Sequence, residues 1–299
     1  MNTIDQYQAF IKRYPKKSFH YRGDVLSYRL FGQGEKLIVL LIGSSMFSSE
    51  AYFKLQEALS DNLQVLTIED ITMKISIERV TDSISYLIKL LNFKKVTLLG
   101  MGYGGGLAQV FARDRASQTE GLILYNTLTR PKKRDEISET VIQGILNSIQ
   151  ELKELRKMMP LNRIKKALLD QIRSVVLKDD DYDLFELLVN KYSENDEKQQ
   201  MEIINDLLTN YAFDKADFKY LNYKSLIFYG YDDDPFGGSD LIESLVDHMT
   251  NPVLKFIDTD RFQIILEPSP MVKPIFEFMK INEQKSALWS AFIRYVGRV

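Results

Sequence analysis

The chain has 299 residues, of which 45% are hydrophobic and 27% are charged, and its formal net charge is −2. This length suits one large α/β domain with an insertion, or two smaller domains, and the charge gives no reason to expect binding to nucleic acid or to a membrane. The sequence has no cysteine, no run near the ~18 apolar residues of a membrane span and no signal pattern at its N-terminus, so we expect a cytoplasmic protein without disulfides, thiolate metal sites or a cysteine nucleophile.

The first third of the chain alternates predicted helices and strands. A one-faced helix precedes two strands, and a near-continuous apolar strand then begins a strand–helix alternation. The helices are predicted over 4–14, 49–59 and 80–91, and the strands over 18–21, 25–31, 36–42 and 63–68. This order predicts a mostly parallel sheet covered by helices on both faces.

The glycine-rich stretch at residues 96–111 reads VTLLGMGYGGGLAQVF. It predicts a buried strand over 96–99, a tight turn through the glycines of 100–106, and a helix from Leu107 onward. Another strand is predicted over 121–125.

The pattern changes between residues 128 and 222, where charges are dense and no strand signal occurs. This part reads as a helical insertion, with helices predicted over 137–152, 164–177, 184–192 and 201–211. Alternation then resumes with strands over 225–230 and 253–257 and helices over 239–249 and 271–279. The last residues carry an apolar stripe that includes Trp289 and Phe292, interpreted either as a helix docked on the body or as a contact with a second copy or a protein partner.

A strand that turns through glycines into a helix resembles the nucleophile elbow, G-x-S-x-G, of the α/β-hydrolase superfamily. The order of elements resembles that fold over residues 17–280. The resemblance implies a mostly parallel central sheet flanked by helices. It also implies a core formed by 1–127 and 223–299, a helical cap at 128–222, and a C-terminal extension at 281–299.

The same resemblance assigns three positions to the catalytic triad, and two of them are degenerate. The nucleophile position holds Gly102, the acid position after the strand 225–230 holds Asp233, and the base position holds Arg261. Glycine has no nucleophile, and arginine stays protonated at physiological pH and cannot act as a general base. We interpret His20 and His248 as surface or packing residues, so no catalytic residue is expected.

The backbone donors of the oxyanion hole do not depend on side chains. The residues that match the family's donor positions are Gly43, Ser44 and Tyr103, with the positive end of a helix beside them. The run of aspartates at 232–234 is interpreted as a solvated acidic turn, and neither a metal nor a cofactor is expected.

These observations favour a catalytically inactive protein of the α/β-hydrolase fold that acts by binding. One form is a small carboxylate or phosphate held by Arg261 in the former active-site cleft, opposed by a purely structural Arg261–Asp233 pair. The short loop after Asp70 is similar to the maspardin-like branch, which is regarded as non-catalytic.

Two other hypotheses remain open. The first is an esterase-like hydrolase with a relocated site, using a hydroxyl among Ser44, Ser45, Ser48 and Ser49 or a carboxylate among residues 232–234 and Glu69. The second is an interaction scaffold that uses the cap or the C-terminal tail.

Overall fold

The computed structural model describes residues 2–43, 46–72, 76–133, 135–230, 238–258 and 261–280. Its centre is a sheet with the strand order β1-β2-β4-β3-β5-β6-β7-β8, in which β2 pairs antiparallel with both β1 and β4 and all other pairs are parallel. The strands are β1 (Lys17–Tyr21), β2 (Asp24–Gly32), β3 (Leu37–Gly43), β4 (Gln64–Thr72), β5 (Val96–Gly102), β6 (Thr119–Tyr125), β7 (Ser225–Gly230) and β8 (Val253–Ile257). The predicted mostly parallel sheet is confirmed.

The helices lie on both faces of this sheet and in the insertion. A 3-10 helix, Ser49–Tyr52, leads into the second of them. The α-helices are α1 (Thr3–Arg13), α2 (Phe53–Ser60), α3 (Ile77–Leu90), α4 (Tyr103–Asp114), α5 (Glu136–Arg156), α6 (Leu161–Val175), α7 (Asp179–Lys191), α8 (Glu194–Asn210), α9 (Lys215–Phe218), α10 (Gly238–His248), α11 (Arg261–Leu266) and α12 (Ser269–Met279). None of the helices in the described part of the chain is both long and apolar enough to cross a membrane.

The alternation of side chains along β3 divides the core into two layers. Leu37, Val39 and Leu41 pack with α3, α4 and α8, whereas Ile38 and Leu40 pack with α1, α2 and α12. Because both faces of β3 are covered, its sequence is apolar at nearly every position, as a central parallel strand requires.

The insertion between β6 and β7 consists mainly of α5 to α8, which the short helix α9 follows. Its two ends are joined by a parallel bridge between Pro131 and Phe213, where Phe213 N–H donates to the carbonyl of Arg130 at 2.8 Å. Helix α1 packs on α7, and α8 packs on α4. The insertion is therefore attached to the N-terminal helix as well as to the elbow helix, while its exact domain boundaries stay a prediction.

Three details differ from the sequence prediction. The glycine turn is much tighter, because β5 continues to Gly102 and α4 begins at the next residue. Strand β4 extends to Thr72, because the antiparallel partner β2 continues to pair with it. Residues around Arg261 were predicted only as a position after the last strand, and they begin the short helix α11.

The close approach of α4 to β3 predicts the effect of substituting Gly104. A Cβ atom at Gly104 would overlap the Leu41 carbonyl and lie 2.8 Å from the backbone nitrogen of Gly43. Because displacing backbone atoms within the sheet is energetically costly, Gly104→Ala is expected to lower the free energy of unfolding by roughly 1–3 kcal/mol.

Gly144 in α5 is the matched control, because no atom lies within 4 Å of a Cβ built there. Gly144→Ala is expected to raise the free energy of unfolding by roughly 0.5–1 kcal/mol, the helix penalty of glycine. The free energies of unfolding of both variants, measured in urea, test this packing. Equal changes in the two variants would contradict it.

Candidate functional site

The turn from β5 into α4 has the geometry of a sharp elbow with Gly102 at its summit. Gly102 has φ 57° and ψ −130°, a backbone conformation that is strained for any residue with a Cβ. Its carbonyl accepts hydrogen bonds from Thr127 Oγ1 at 2.8 Å and from the N–H of Leu128 at 3.3 Å. The elbow is therefore held by its neighbours although no nucleophile stands on it.

The structure brings three of the sequence-predicted positions together. Gly43 pairs in parallel register with Gly102, and a Cβ on Gly43 would lie 2.5 Å from the ring of Tyr103. Burial raises the pKa of Tyr103 to about 12, so the phenol is neutral. No side chain caps the N-terminus of α4.

The side chains at the remaining predicted positions lie outside the part of the chain that the structure describes. Ser44, Asp233, Trp289 and Phe292 lie outside the described residues, and for Arg261 only the backbone is described. The oxyanion-hole pair and the Asp233–Arg261 contact therefore remain predictions.

A cleft of about 450 Å³ lies beside the elbow, between the core and the insertion. Its core side is formed by residues 46–50, the end of β4 and the start of α4, and its other side is formed by α7 and α8. The residues that carry charge, amide or phenol groups into it are Lys16, Glu50, Glu69, Tyr103, Lys191, Tyr192, Asn195, Asp196, Gln199 and Gln200. Its apolar surface comes from residues such as Ile42, Leu107 and Leu188.

One wall of this cleft contains a network of ionic and hydroxyl groups, called here the ion cluster. Its members come from six different segments of the chain. They are Tyr7, Lys16, Arg29, Ser49, Glu50, Glu69 and Lys191.

Arg29 is the centre of the ion cluster, with only 1% of its surface exposed. Its Nη2 donates to Glu50 Oε1 at 2.6 Å, its Nε to Glu69 Oε1 at 3.1 Å, and its Nη1 to the carbonyl of Tyr14 at 2.7 Å. A buried guanidinium with two carboxylates and a carbonyl has its donors well satisfied.

The two carboxylates have opposite pKa shifts. Burial opposes ionisation of Glu50, but the hydrogen bond from Tyr7 and the charges of Lys16, Arg29 and Lys191 lower its pKa to about 2. Burial raises the pKa of Glu69 to about 7, because only Arg29 and the Ser49 hydroxyl, at 2.7 Å, oppose it strongly. Glu69 therefore changes its charge near neutral pH.

The histidines lie away from this cleft. His20 is exposed on β1, whereas His248 is only 5% exposed and its Nδ1 lies 3.5 Å from Thr129 Oγ1. Burial lowers the pKa of His248 to about 4. Among the residues that the structure describes, no group of three or more acidic or histidine side chains is arranged to hold a metal ion.

Sequence reasoning named Glu69 as a candidate carboxylate but missed Arg29 and Glu50. An arginine in the middle of the predicted strand 25–31 was a signal, since a charged residue inside a covered sheet needs a partner. The partner itself had no local signal, because Glu50 is 21 residues away in the chain.

Comparison with known proteins finds no matching protein-family model and no matching curated protein. Solved structures do match. A hydrolase from Pseudomonas aeruginosa PA01 is 14% identical with a TM-score of 0.66, covering 89% of this chain and 98% of its own. The enol-lactonase from Burkholderia xenovorans LB400 is 16% identical with a TM-score of 0.65, covering 88% and 100%. A meta-cleavage product hydrolase from Pseudomonas fluorescens IP01 is 18% identical with a TM-score of 0.63, covering 88% and 97%.

The sheet order, the elbow and these likenesses define an α/β-hydrolase fold, as the sequence predicted. The chain covers nearly the whole of each matched structure. At such low sequence identity the likeness establishes the fold, and the activity has to be argued from the residues of the site.

Glu69 gives stability an unusual pH dependence. Its pKa rises from 4.5 to about 7 on folding, so the folded state binds more protons than the unfolded state between these values. The contribution of Glu69 to the free energy of unfolding therefore decreases as pH rises across this window, by about 3 kcal/mol. His248 acts in the opposite direction, because its pKa falls from 6.5 to about 4 on folding.

The comparison of wild type with Glu69→Gln isolates the effect, because His248 is present in both proteins. Urea unfolding at about pH 5 and about pH 8 should show the variant gaining stability relative to wild type as pH rises. A difference that does not change with pH would contradict this assignment.

Proposed function

We propose that this protein does not hydrolyse esters through an acyl-enzyme and instead binds a small anionic ligand in the cleft beside the elbow. The observation that carries the proposal is Gly102, which occupies the summit of a fully formed elbow without any nucleophilic atom. A hydrolase that works through an acyl-enzyme needs a side-chain nucleophile at that point. Arg261 at the predicted base position supports the same conclusion.

Two partly exposed ammonium groups in the cleft support an anionic ligand. Lys16 and Lys191 both line it, and their side chains are 36% and 52% exposed. Both lie 3.2 Å from oxygens of Glu50, so one carboxylate faces two ammonium groups. Ile42, Leu107 and Leu188 offer apolar surface for the rest of such a ligand.

The short connection from the end of β4 at Thr72 to the start of α3 at Ile77 agrees with a maspardin-like, non-catalytic protein. Within this proposal the protein works in the cytoplasm, and a protein partner or a second copy would bind through the cap or the tail that contains Trp289 and Phe292.

An esterase-like hydrolase with a relocated site is the alternative, and one contact favours it. The Ser49 hydroxyl donates to Glu69 at 2.7 Å, an arrangement of hydroxyl and base. The side chain of Glu69 has 0% exposure, however, and its other oxygen is occupied by Arg29. Ser49, although it lines the cleft, is itself only 1% exposed, so its hydroxyl offers almost no surface to an attacking geometry, which disfavours the alternative.

The first measurement separates binding from hydrolysis. The full-length protein is expected to show no turnover of p-nitrophenyl butyrate above background and no labelling by a fluorophosphonate probe, because Gly102 has no hydroxyl. Turnover that disappears in Ser49→Ala and Glu69→Gln would overturn the proposal in favour of the relocated site.

The second measurement is calorimetric titration with sodium butyrate, with uncharged butyramide as the matched control ligand. Butyrate is expected to bind and butyramide is not. Lys191→Gln should weaken butyrate binding about tenfold through loss of a charged hydrogen bond, whereas Lys198→Gln, an exposed lysine on α8 that does not line the cleft, should not.

Arg261→Ala serves as a third arm of this titration. Loss of binding in that variant alone would place the anion at the predicted base position instead of at the lysines. Absence of butyrate binding to wild type would overturn the proposal.

A further inference from the structure

Two carboxylates share one buried guanidinium next to the cleft. Arg29 donates to Glu50 on one side and to Glu69 on the other, at 2.6 and 3.1 Å. Two carboxylates buried around the same guanidinium repel each other when both are ionised, so the pKa of one of them is raised. The carboxylate that accepts fewer hydrogen bonds is the one that protonates.

The donors are divided unequally between them. Glu50 accepts from Tyr7 at 2.7 Å and faces Lys16 and Lys191 as well as Arg29. Glu69 has Arg29 and the Ser49 hydroxyl. Geometry therefore assigns the exchangeable proton to Glu69.

Ser49 lets Glu69 change its charge without losing its hydrogen bond. The hydroxyl donates to Glu69 Oε2 when the carboxylate is ionised, and it can accept from the same oxygen when that oxygen carries the proton. The raised pKa of Glu69, about 7, agrees with this assignment.

The charges that face the cleft are closely balanced. The cations are Lys16 before β1 and Lys191 on α7, which line the cleft, and Arg29 on β2, which is buried behind Glu50 and Glu69; the anions that line it are Glu50, Glu69 and Asp196 of α8. Tyr7, Tyr103 and Tyr192 are neutral because burial raises the pKa of each phenol. With Arg29 counted, three cations thus balance three carboxylates, and protonation of Glu69 leaves one positive charge in excess.

We propose that the cleft takes up its anionic ligand together with one proton, which binds to Glu69. This inference rests on the proposed function. A ligand that brings a negative charge into the cleft repels ionised Glu69, and a proton from solvent that binds to a Glu69 carboxylate oxygen removes that repulsion. The ligand and the proton enter together, so the total charge of the site is unchanged.

The test is the dissociation constant of sodium butyrate as a function of pH, measured on the full-length protein. Butyrate is ionised throughout the range from about pH 6 to about pH 8.5, so its own charge does not change. Binding is expected to be nearly constant at the acidic end and to weaken about tenfold per pH unit above the point where Glu69 ionises, the slope for one proton.

Glu69→Gln removes the titrating group and keeps a neutral side chain of the same shape. It should bind butyrate with little pH dependence, close to the affinity of wild type at the acidic end. Glu57→Gln is the matched control, because burial also raises the pKa of Glu57, yet it lies on α2 and does not line the cleft. This variant should keep the slope of wild type.

The outcomes are distinguishable. If wild type does not bind butyrate at all, the proposed function fails. If wild type binds with a constant affinity, or if Glu69→Gln keeps the slope, the proton linkage is wrong and the binding function stands. Should Glu69→Gln not fold, a titration of unbuffered wild type in a pH-stat decides the matter, since it measures directly whether a proton is taken up with each butyrate.

Discussion

The charge of Arg29 is the constraint on which this part of the structure depends. A guanidinium that is 1% exposed is costly to bury unless its donors find partners, and an unpaired buried charge costs several kcal/mol. Its three partners come from the end of α1, the 3-10 helix at 49–52 and β4. All three segments must therefore be correctly positioned before the guanidinium of Arg29 has its hydrogen-bond partners.

The same charge fixes one wall of the cleft. Glu50 is held by Arg29, and it in turn binds Lys191 of the insertion and Tyr7 of α1, while the Lys191 ammonium also donates to the Tyr7 hydroxyl. Helix α1 is further tied to α7 by a hydrogen bond from Thr3 to Asp181 at 2.6 Å. The insertion is thus tied to Glu50 directly and to Glu69 only through Arg29.

Most of the fold could be predicted from the sequence, because burial on one or both faces leaves a periodic pattern in the residues themselves. The apolar run of β3 and the glycines before α4 are examples, since each reflects its immediate surroundings. The extension of β4 beyond Ile68 had no such signal, because it depends on pairing with β2. The pairing of Arg29 with Glu50 could not be predicted either. Periodicity indicates on which face of an element a side chain lies, but not which distant residue it contacts.

The elbow shows why a fold can keep the shape of an active site without its chemistry. A residue with a Cβ at φ 57° stores backbone strain of roughly 1–3 kcal/mol. Such strain has a use only where the side chain of that residue acts as a nucleophile. Glycine removes that strain at position 102. The turn itself is held by contacts that do not involve the summit side chain, since Gly104 packs against the backbone of Leu41 and Thr127 binds the carbonyl of Gly102. The geometry of the elbow and the presence of a nucleophile are therefore independent, and the groups able to respond to a ligand lie in the ion cluster beside it.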